Sequence, residues 1–146
     1  MQSEMIKKVM VATDGSEYTK KAVKYGIEIA KLSDSKLYAI YVVDTAAFAS
    51  IPMDSAWESM YGLLKQEGDD ATKQVADAAA DSGIEVERLV VEGHPADEIV
   101  NAAEDNSVDM IVMGTLGKSG LERFLLGSVA EKVMRISKIP VMVVRG

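Results

Sequence analysis

Apolar residues follow two different spacings along the chain. Short runs rich in β-branched residues occur at positions 6–12, 37–43, 84–91, 108–113 and 140–144. Nearly continuous apolar runs of this length are typical of strands that are buried on both faces. The third run is different because Glu85, Glu87 and Arg88 interrupt it. Charged residues at these positions predict a strand at the edge of the sheet.

Longer segments with helical spacing lie between these runs, at positions 16–32, 55–82, 96–104 and 128–137. The third segment shows the i, i+3, i+4, i+7 pattern at Ala96, Ile99, Val100 and Ala103. In the last segment the apolar stripe consists of Val129, Val133 and Ile136, with Ala130 and Met134 beside it. Strands and helices therefore alternate, which predicts an α/β fold: a parallel open sheet covered by helices on both faces.

Composition narrows the classes of partner. A chain of 146 residues has the length of one domain, and we expect residues 1–146 to form a single domain. The net charge of −7 argues against nucleic acid or an anionic membrane surface as a partner. The absence of cysteine excludes disulfides and thiolate metal sites, and it fits the cytoplasm, which we predict as the location. We expect no membrane segment and no signal peptide.

The turns that follow the strands are the places to look for a ligand, because open α/β sheets bind ligands beyond the carboxyl ends of their strands. After the first strand comes the turn Thr13-Asp14-Gly15-Ser16. Gly15 permits tight geometry, and Asp14 would point into the crevice. An Asp followed three residues later by Glu17 is also a helix N-cap signature, and on the turn alone the cap is the favoured explanation.

Two other connections carry less information. His94 lies between Gly93 and Pro95, where a turn leads into a helix, and a single loop histidine is assigned no site. The connection at residues 44–54 is long enough to be a lid or a partner surface, or an insertion without function.

The connection after the fourth strand reads "MGTLGKSGLERFLLGSV", residues 113–129. Its Gly117-Lys118-Ser119 matches the end of a Walker A loop, but Val112 stands where that motif requires glycine. Residues 121–126 also separate two glycine clusters, whereas a Walker A loop leads directly into its own helix. The Walker A interpretation is therefore rejected.

A phosphate site of another design is compatible with these residues. Gly114 and Gly117 would let backbone N–H groups approach a phosphate without obstruction by a Cβ atom. Gly127 and Ser128, at the start of the last helix, would add N–H donors, a hydroxyl and the positive end of the helix dipole. From these residues alone, glycines that merely shape a long loop are an equally good explanation.

The spacing Gly114-x2-Gly117-x9-Gly127-Ser128 resembles the G-x2-G-x9-G-[ST] nucleotide motif of the universal stress protein family. The similarity extends over the whole chain and includes "VMVATDGSEYTKKAVKYGIEIA" and "VVEGHPADEIV". It implies a five-stranded parallel sheet in the order 3-2-1-4-5, of half-Rossmann type like the adenine nucleotide alpha hydrolases. In that order strands one and four are neighbours, and the turns that follow them face each other.

The resemblance also implies an ATP site, with or without Mg²⁺ or Mn²⁺ on the phosphates. The adenine and ribose would be bordered by Ala12, Thr13, Asp14, Val42, Met113 and Gly114. The phosphates would be held by Gly117, Lys118, Gly127, Ser128 and Val129. One departure is Leu116, which stands where many members of the family carry Arg or His.

By resemblance, the function is that of an ATP-dependent switch in signalling or the stress response. We find no general base near the expected γ-phosphate and no carboxylate set for two metals, so the chain is at most a slow ATPase. The alternative is an interaction module of the same fold that binds no nucleotide. A flavin carrier is disfavoured by the aromatic content of 5%, and the signatures of PP-loop enzymes and receiver domains are absent.

The last apolar run predicts self-association. If residues 140–144 form an outer strand, their apolar edge is one that monomers normally avoid exposing. Antiparallel pairing with the same strand of a second copy would cover it, and the resemblance likewise implies a homodimer. A further protein partner is expected, and its identity is unknown.

Overall fold

The computed structural model describes residues 3–45, 55–115 and 127–145. The strands are β1 (Lys8–Ala12), β2 (Lys36–Asp44), β3 (Val86–Gly93), β4 (Met110–Gly114) and β5 (Val141–Val144). The helices are α1 (Glu17–Ser33), α2 (Ser55–Ala79), α3 (Pro95–Asp105) and α4 (Ser128–Ile136), and a short 3-10 helix at Ala80–Ser82 follows α2. Elements and bounds agree with the sequence prediction to within about two residues, the accuracy expected at element ends.

All five strands pair in parallel, in the order β3-β2-β1-β4-β5. This confirms the predicted order, with the charged β3 at one edge. The direction of strand addition reverses at β1, which lies between β2 and β4. The ends of β1 and β4 therefore form the switch point of the sheet, where α/β folds bind ligands.

The helices cover the two faces of the sheet in pairs. Val9 and Val11 of β1 pack in the cluster that contains residues of α1 and α2. Met10, between them, packs in the cluster with α3 and α4. Successive side chains of a strand point to opposite faces, so both faces of β1 are buried and its continuous apolar sequence is explained.

The predicted stripe of α4 is only partly buried. Ala130 and Val133 are buried, but Ile136 and Met134 are 38% and 46% exposed. Ile136 is the last residue of α4. The chain leaves the helix toward β5 at this point, so the end of the apolar stripe stays partly exposed. No helix within the described ranges combines the length and apolarity needed to cross a membrane.

Two glycines of α2 provide a matched test of packing on the sheet. A Cβ atom at Gly68 would lie 2.7 Å from Tyr41 Cδ1 and 2.9 Å from Val90 Cγ1, whereas one at Gly62 would meet nothing within 4 Å. We expect Gly68→Ala to lower the free energy of unfolding by about 1–3 kcal/mol through overpacking. Gly62→Ala should raise it by about 0.5–1 kcal/mol through helix propensity. Urea denaturation measures both, and a stabilising Gly68→Ala would contradict the close packing of α2.

Candidate functional site

The turn after β1 is held by the Asp14 carboxylate. Its Oδ1 atom accepts hydrogen bonds from Ser16 N at 2.9 Å and from Ser16 Oγ at 2.5 Å. The N-cap residue of α1 is Ser16, and its side chain makes no cap hydrogen bond. The interpretation of Asp14 as the helix N-cap is therefore wrong: its short side chain bonds the backbone two residues on and closes the turn.

Two threonine hydroxyls support the same turn from inside. Thr13 and Thr19 are buried, and their Oγ1 atoms lie 3.3 Å apart. Thr13 Oγ1 also accepts from Gly15 N at 3.1 Å, and Thr19 Oγ1 lies 3.3 Å from Asp14 Oδ1. Thr19 was not among the predicted site residues, although a threonine on the inner face of the first helical turn is a usable signal.

The turn leaves one carboxylate oxygen available. Among the described residues, every hydrogen bond to Asp14 goes to Oδ1. Gly15, at φ 79°, bends the chain sharply beside this group. A Cβ atom at Gly15 would lie 3.2 Å from Ala71 Cβ of α2, so the turn is also packed from the outside. Asp14 Oδ2 is thus a fixed acceptor at the carboxyl end of β1.

Val42 presents backbone groups toward the crevice. In a parallel pair, the N–H and C=O of one residue point to the same neighbouring strand, and successive residues alternate. Thr13 N donates to Ile40 O at 2.9 Å, while Leu37 N donates to Glu85 O on the other side. Val42 therefore faces the β1 side, like Ile40, but β1 has already turned away. No backbone hydrogen bond joins Val42 to that side in the part of the chain that the structure describes.

The start of α4 is fixed beside the end of β4. Thr115 N donates to Val144 O at 3.1 Å, and Gly127 N donates to Thr115 O at 2.8 Å. A Cβ atom at Gly127 would lie 2.7 Å from Thr115 O, which is a backbone atom. Glycine is therefore required here by a close approach of two backbones, whatever the ligand. The result is that the N-terminus of α4, with its unpaired N–H groups, lies at the switch point.

The apolar residues predicted for the site belong to one cluster. Met113 is buried, and Ala12, Val42 and Val129 are half-buried against the cluster on the α3 and α4 face. Gly114 is half-buried at the end of β4, and Ser128 is exposed at the start of α4. The structure thus brings together the predicted residues that it describes. Gly117 and Lys118 lie outside the described residues.

Two tyrosine–carboxylate pairs lie on the other face of the sheet, the face that α2 covers. Tyr41 Oη donates a hydrogen bond to Glu67 at 2.6 Å. Burial of the phenol is the main cause that raises the pKa of Tyr41, and the hydrogen bond to Glu67 is the second cause. Tyr61 donates to Glu92, and that hydrogen bond raises the pKa of Tyr61. Both phenols are therefore neutral hydrogen-bond donors at physiological pH.

An ion pair joins the two helices beside the crevice. Lys132 Nζ of α4 lies 3.2 Å from Asp97 Oδ1 and 3.3 Å from Oδ2 of α3. Sequence analysis did not foresee this pair, because it depends on how two helices of the same face pack. Within the described ranges, no group of three or more His, Cys, Asp or Glu residues is arranged to hold a metal ion.

Comparisons with known proteins agree with this architecture. The model of the universal stress protein family matches residues 5–145. Universal stress protein MJ0531 of Methanocaldococcus jannaschii is 48% identical over 141 residues, 97% of this chain and 83% of that protein. The solved structure of MJ0577 from the same organism is 34% identical, with a TM-score of 0.84 and 96% coverage of both chains. A universal stress protein solved in complex with cAMP is 28% identical, with a TM-score of 0.70 and coverage of 97% and 98%.

Two substitutions distinguish the hydrogen bonds that Asp14 accepts in the turn from the charge of its carboxylate. Asp14→Ala removes the acceptor of the Ser16 N–H, and we expect it to lower the free energy of unfolding by about 1–2 kcal/mol. Asp14→Asn keeps an oxygen that can accept the same bonds and should cost about half a kcal/mol. Chemical denaturation of both variants is the measurement. Equal losses in the two variants would show that the hydrogen bonds of Oδ1 do not stabilise the turn.

Proposed function

The chain belongs to the universal stress protein family, and from this premise we propose that it binds ATP in the crevice between β1 and β4. In this proposal the bound nucleotide makes the protein a switch in cytoplasmic signalling or stress response, with weak or no hydrolysis. The observation that carries it is the hydrogen bond from Gly127 N to Thr115 O at 2.8 Å. This bond holds the N-terminus of α4 at the point where an anion would meet both N–H donors and the helix dipole.

The adenine end of the crevice has matching chemistry. Val42 offers a backbone donor and a backbone acceptor on the same side of β2. The Watson–Crick edge of adenine carries an amino donor beside a ring-nitrogen acceptor, so it can pair with both groups. Guanine presents a carbonyl acceptor and a ring N–H donor in the reverse order. The half-buried side chains of Ala12 and Val42 would line the apolar surface that a purine ring needs.

The ribose would lie beside the turn after β1. Asp14 Oδ2 is an acceptor only, which suits a ribose hydroxyl. Any Mg²⁺ or Mn²⁺ would be held mainly through the phosphates, with Asp14 contacting it through water. The universal stress protein solved with cAMP supports an adenine nucleotide as the class of ligand.

ATP binding is tested by placing a charge at the start of α4. Ser128 is exposed, and an acidic residue at the first helical position stabilises a helix. Ser128→Asp should therefore keep the fold, yet weaken ATP binding by about tenfold or more through repulsion of the phosphates. Isothermal titration calorimetry on nucleotide-stripped protein measures the affinity, and adenosine affinity should change little.

The matched control is Gln74→Glu, which adds the same charge on the exposed surface of α2, on the other face of the sheet. It should leave ATP affinity within about twofold, because exposed charges are screened over this distance. If wild-type protein binds no ATP at millimolar concentration, the proposal is wrong and the interaction module that binds no nucleotide takes its place.

We also propose that the protein is a homodimer formed through β5. Ile111 N donates to Pro140 O and Thr115 N to Val144 O, so the alternate residues Val141 and Val143 direct their N–H and C=O groups to the free edge. No charged residue interrupts β5, whereas β3 at the other edge carries Glu87, Arg88 and Glu92. The uncharged edge is the one suited to pairing with a second copy.

A proline on the free edge tests this interface. Val143→Pro removes an N–H that points away from β4, so the sheet should persist while edge pairing is blocked. Light scattering should show a dimer for wild type and a monomer for the variant. Val86→Pro makes the same change at an outward-pointing position of the β3 edge and should leave the dimer intact. A monomeric wild-type protein at micromolar concentration would refute the interface.

A further inference from the structure

The ion pair between Lys132 and Asp97 joins the middle of α4 to the first turn of α3. Asp97 is the third residue of α3 and Lys132 the fifth of α4. In a parallel α/β sheet the helix N-termini lie at the carboxyl ends of the strands, the edge where ligands bind. Lys132 Nζ contacts both carboxylate oxygens, at 3.2 and 3.3 Å. The ammonium group of Lys132 therefore lies beside the first turn of α3.

Helix geometry places this ammonium within reach of a phosphate at the N-terminus of α4. Lys132 follows Ser128 by four residues, so the two side chains share a face of the helix. Four residues rise only about 6 Å along the axis, and helical side chains lean toward the N-terminus. A lysine side chain covers that distance, so Lys132 can reach the level of Ser128 without any movement of the backbone.

The present partner of Lys132 does not hold it strongly. The side chains of Lys132 and Asp97 are 41% and 42% exposed, and an ion pair in such a setting contributes little to stability. Nucleotide phosphates carry more negative charge than one carboxylate and accept strong charge-assisted hydrogen bonds. A phosphate within reach of Lys132 would therefore compete with Asp97 for the ammonium group.

We propose that Lys132 is a phosphate-binding residue of the ATP site, and that Asp97 holds its ammonium when no nucleotide is bound. This inference rests on the proposed function. In this inference the positive charge that binds the phosphates comes from a side chain of α4. The N–H groups and the hydroxyl at the start of the helix bind the phosphates as well.

A purely structural pair makes a different prediction. The α3 and α4 helices already pack through Ile99, Val100, Ala130 and Val133. If the ion pair only joins them, removal of either partner breaks the same contact and has the same effect on ATP binding. If Lys132 binds phosphate and Asp97 competes for it, the two removals act in opposite directions.

The experiment compares Lys132→Gln, Asp97→Asn and the double variant by calorimetric titration with ATP, AMP and adenosine. Lys132→Gln should weaken ATP binding about three- to tenfold and AMP binding less, with adenosine unchanged. Asp97→Asn should leave ATP binding equal or about two- to threefold tighter. In the double variant the gain from Asp97→Asn should disappear, because the ammonium group for which Asp97 and the phosphates compete is absent.

Lys138→Gln is the matched control, since it removes the same charge from an exposed residue after the C-terminal end of α4. It should change ATP affinity by less than about twofold. Lys132→Arg should retain most of the affinity, because the positive charge is kept. Thermal denaturation of each variant checks that the fold is maintained.

Two results would overturn the role of Lys132: an ATP affinity of Lys132→Gln equal to that of Lys138→Gln, or equal losses in Lys132→Gln and Asp97→Asn. A loss of adenosine affinity as large as that of ATP would also contradict it. If wild-type protein binds neither ATP nor adenosine, the proposed function fails instead, so the two failures are distinguishable.

Discussion

The hydrogen bond from Thr13 N to Ile40 O is the last backbone contact between β1 and β2, and the geometry of the crevice depends on it. Beyond this bond β1 turns into α1, while β2 continues to Asp44. The N–H and C=O groups of Val42 in β2 are left facing the crevice, with no backbone hydrogen bond to that side in the described part of the chain. Backbone groups without a neighbouring strand at the switch point of the sheet favour a polar ligand there.

Most of the fold could be predicted from the sequence because burial on both faces leaves a strong pattern. Strands such as β1 and β4 are apolar throughout, and their alternation with amphipathic segments fixes the fold class. The edge position of β3 was visible for the same reason, since Arg88 and the glutamates could not lie in the centre of a covered sheet. The exposure of Ile136 was not predictable, because the sequence pattern does not show how much of α4 packs against the rest of the protein.

The site was predicted less completely, since its details depend on contacts between distant segments. The candidate residues around Asp14 and Gly127 were singled out by turn chemistry and glycine spacing, which are local. The function of each was less accessible: Asp14 closes a turn instead of capping a helix, and Gly127 is required by the carbonyl of Thr115. Thr19 and the Lys132–Asp97 pair belong to helices whose relative placement only the packed structure provides.

The contact between Gly15 and Ala71 links two segments that are far apart in sequence. A Cβ atom at Gly15 would lie 3.2 Å from Ala71 Cβ, so the turn and α2 approach each other closely. A larger residue at position 71 would press against the turn after β1 and change the shape of that turn. We therefore expect related chains that share the shape of this turn to carry a small residue at position 71.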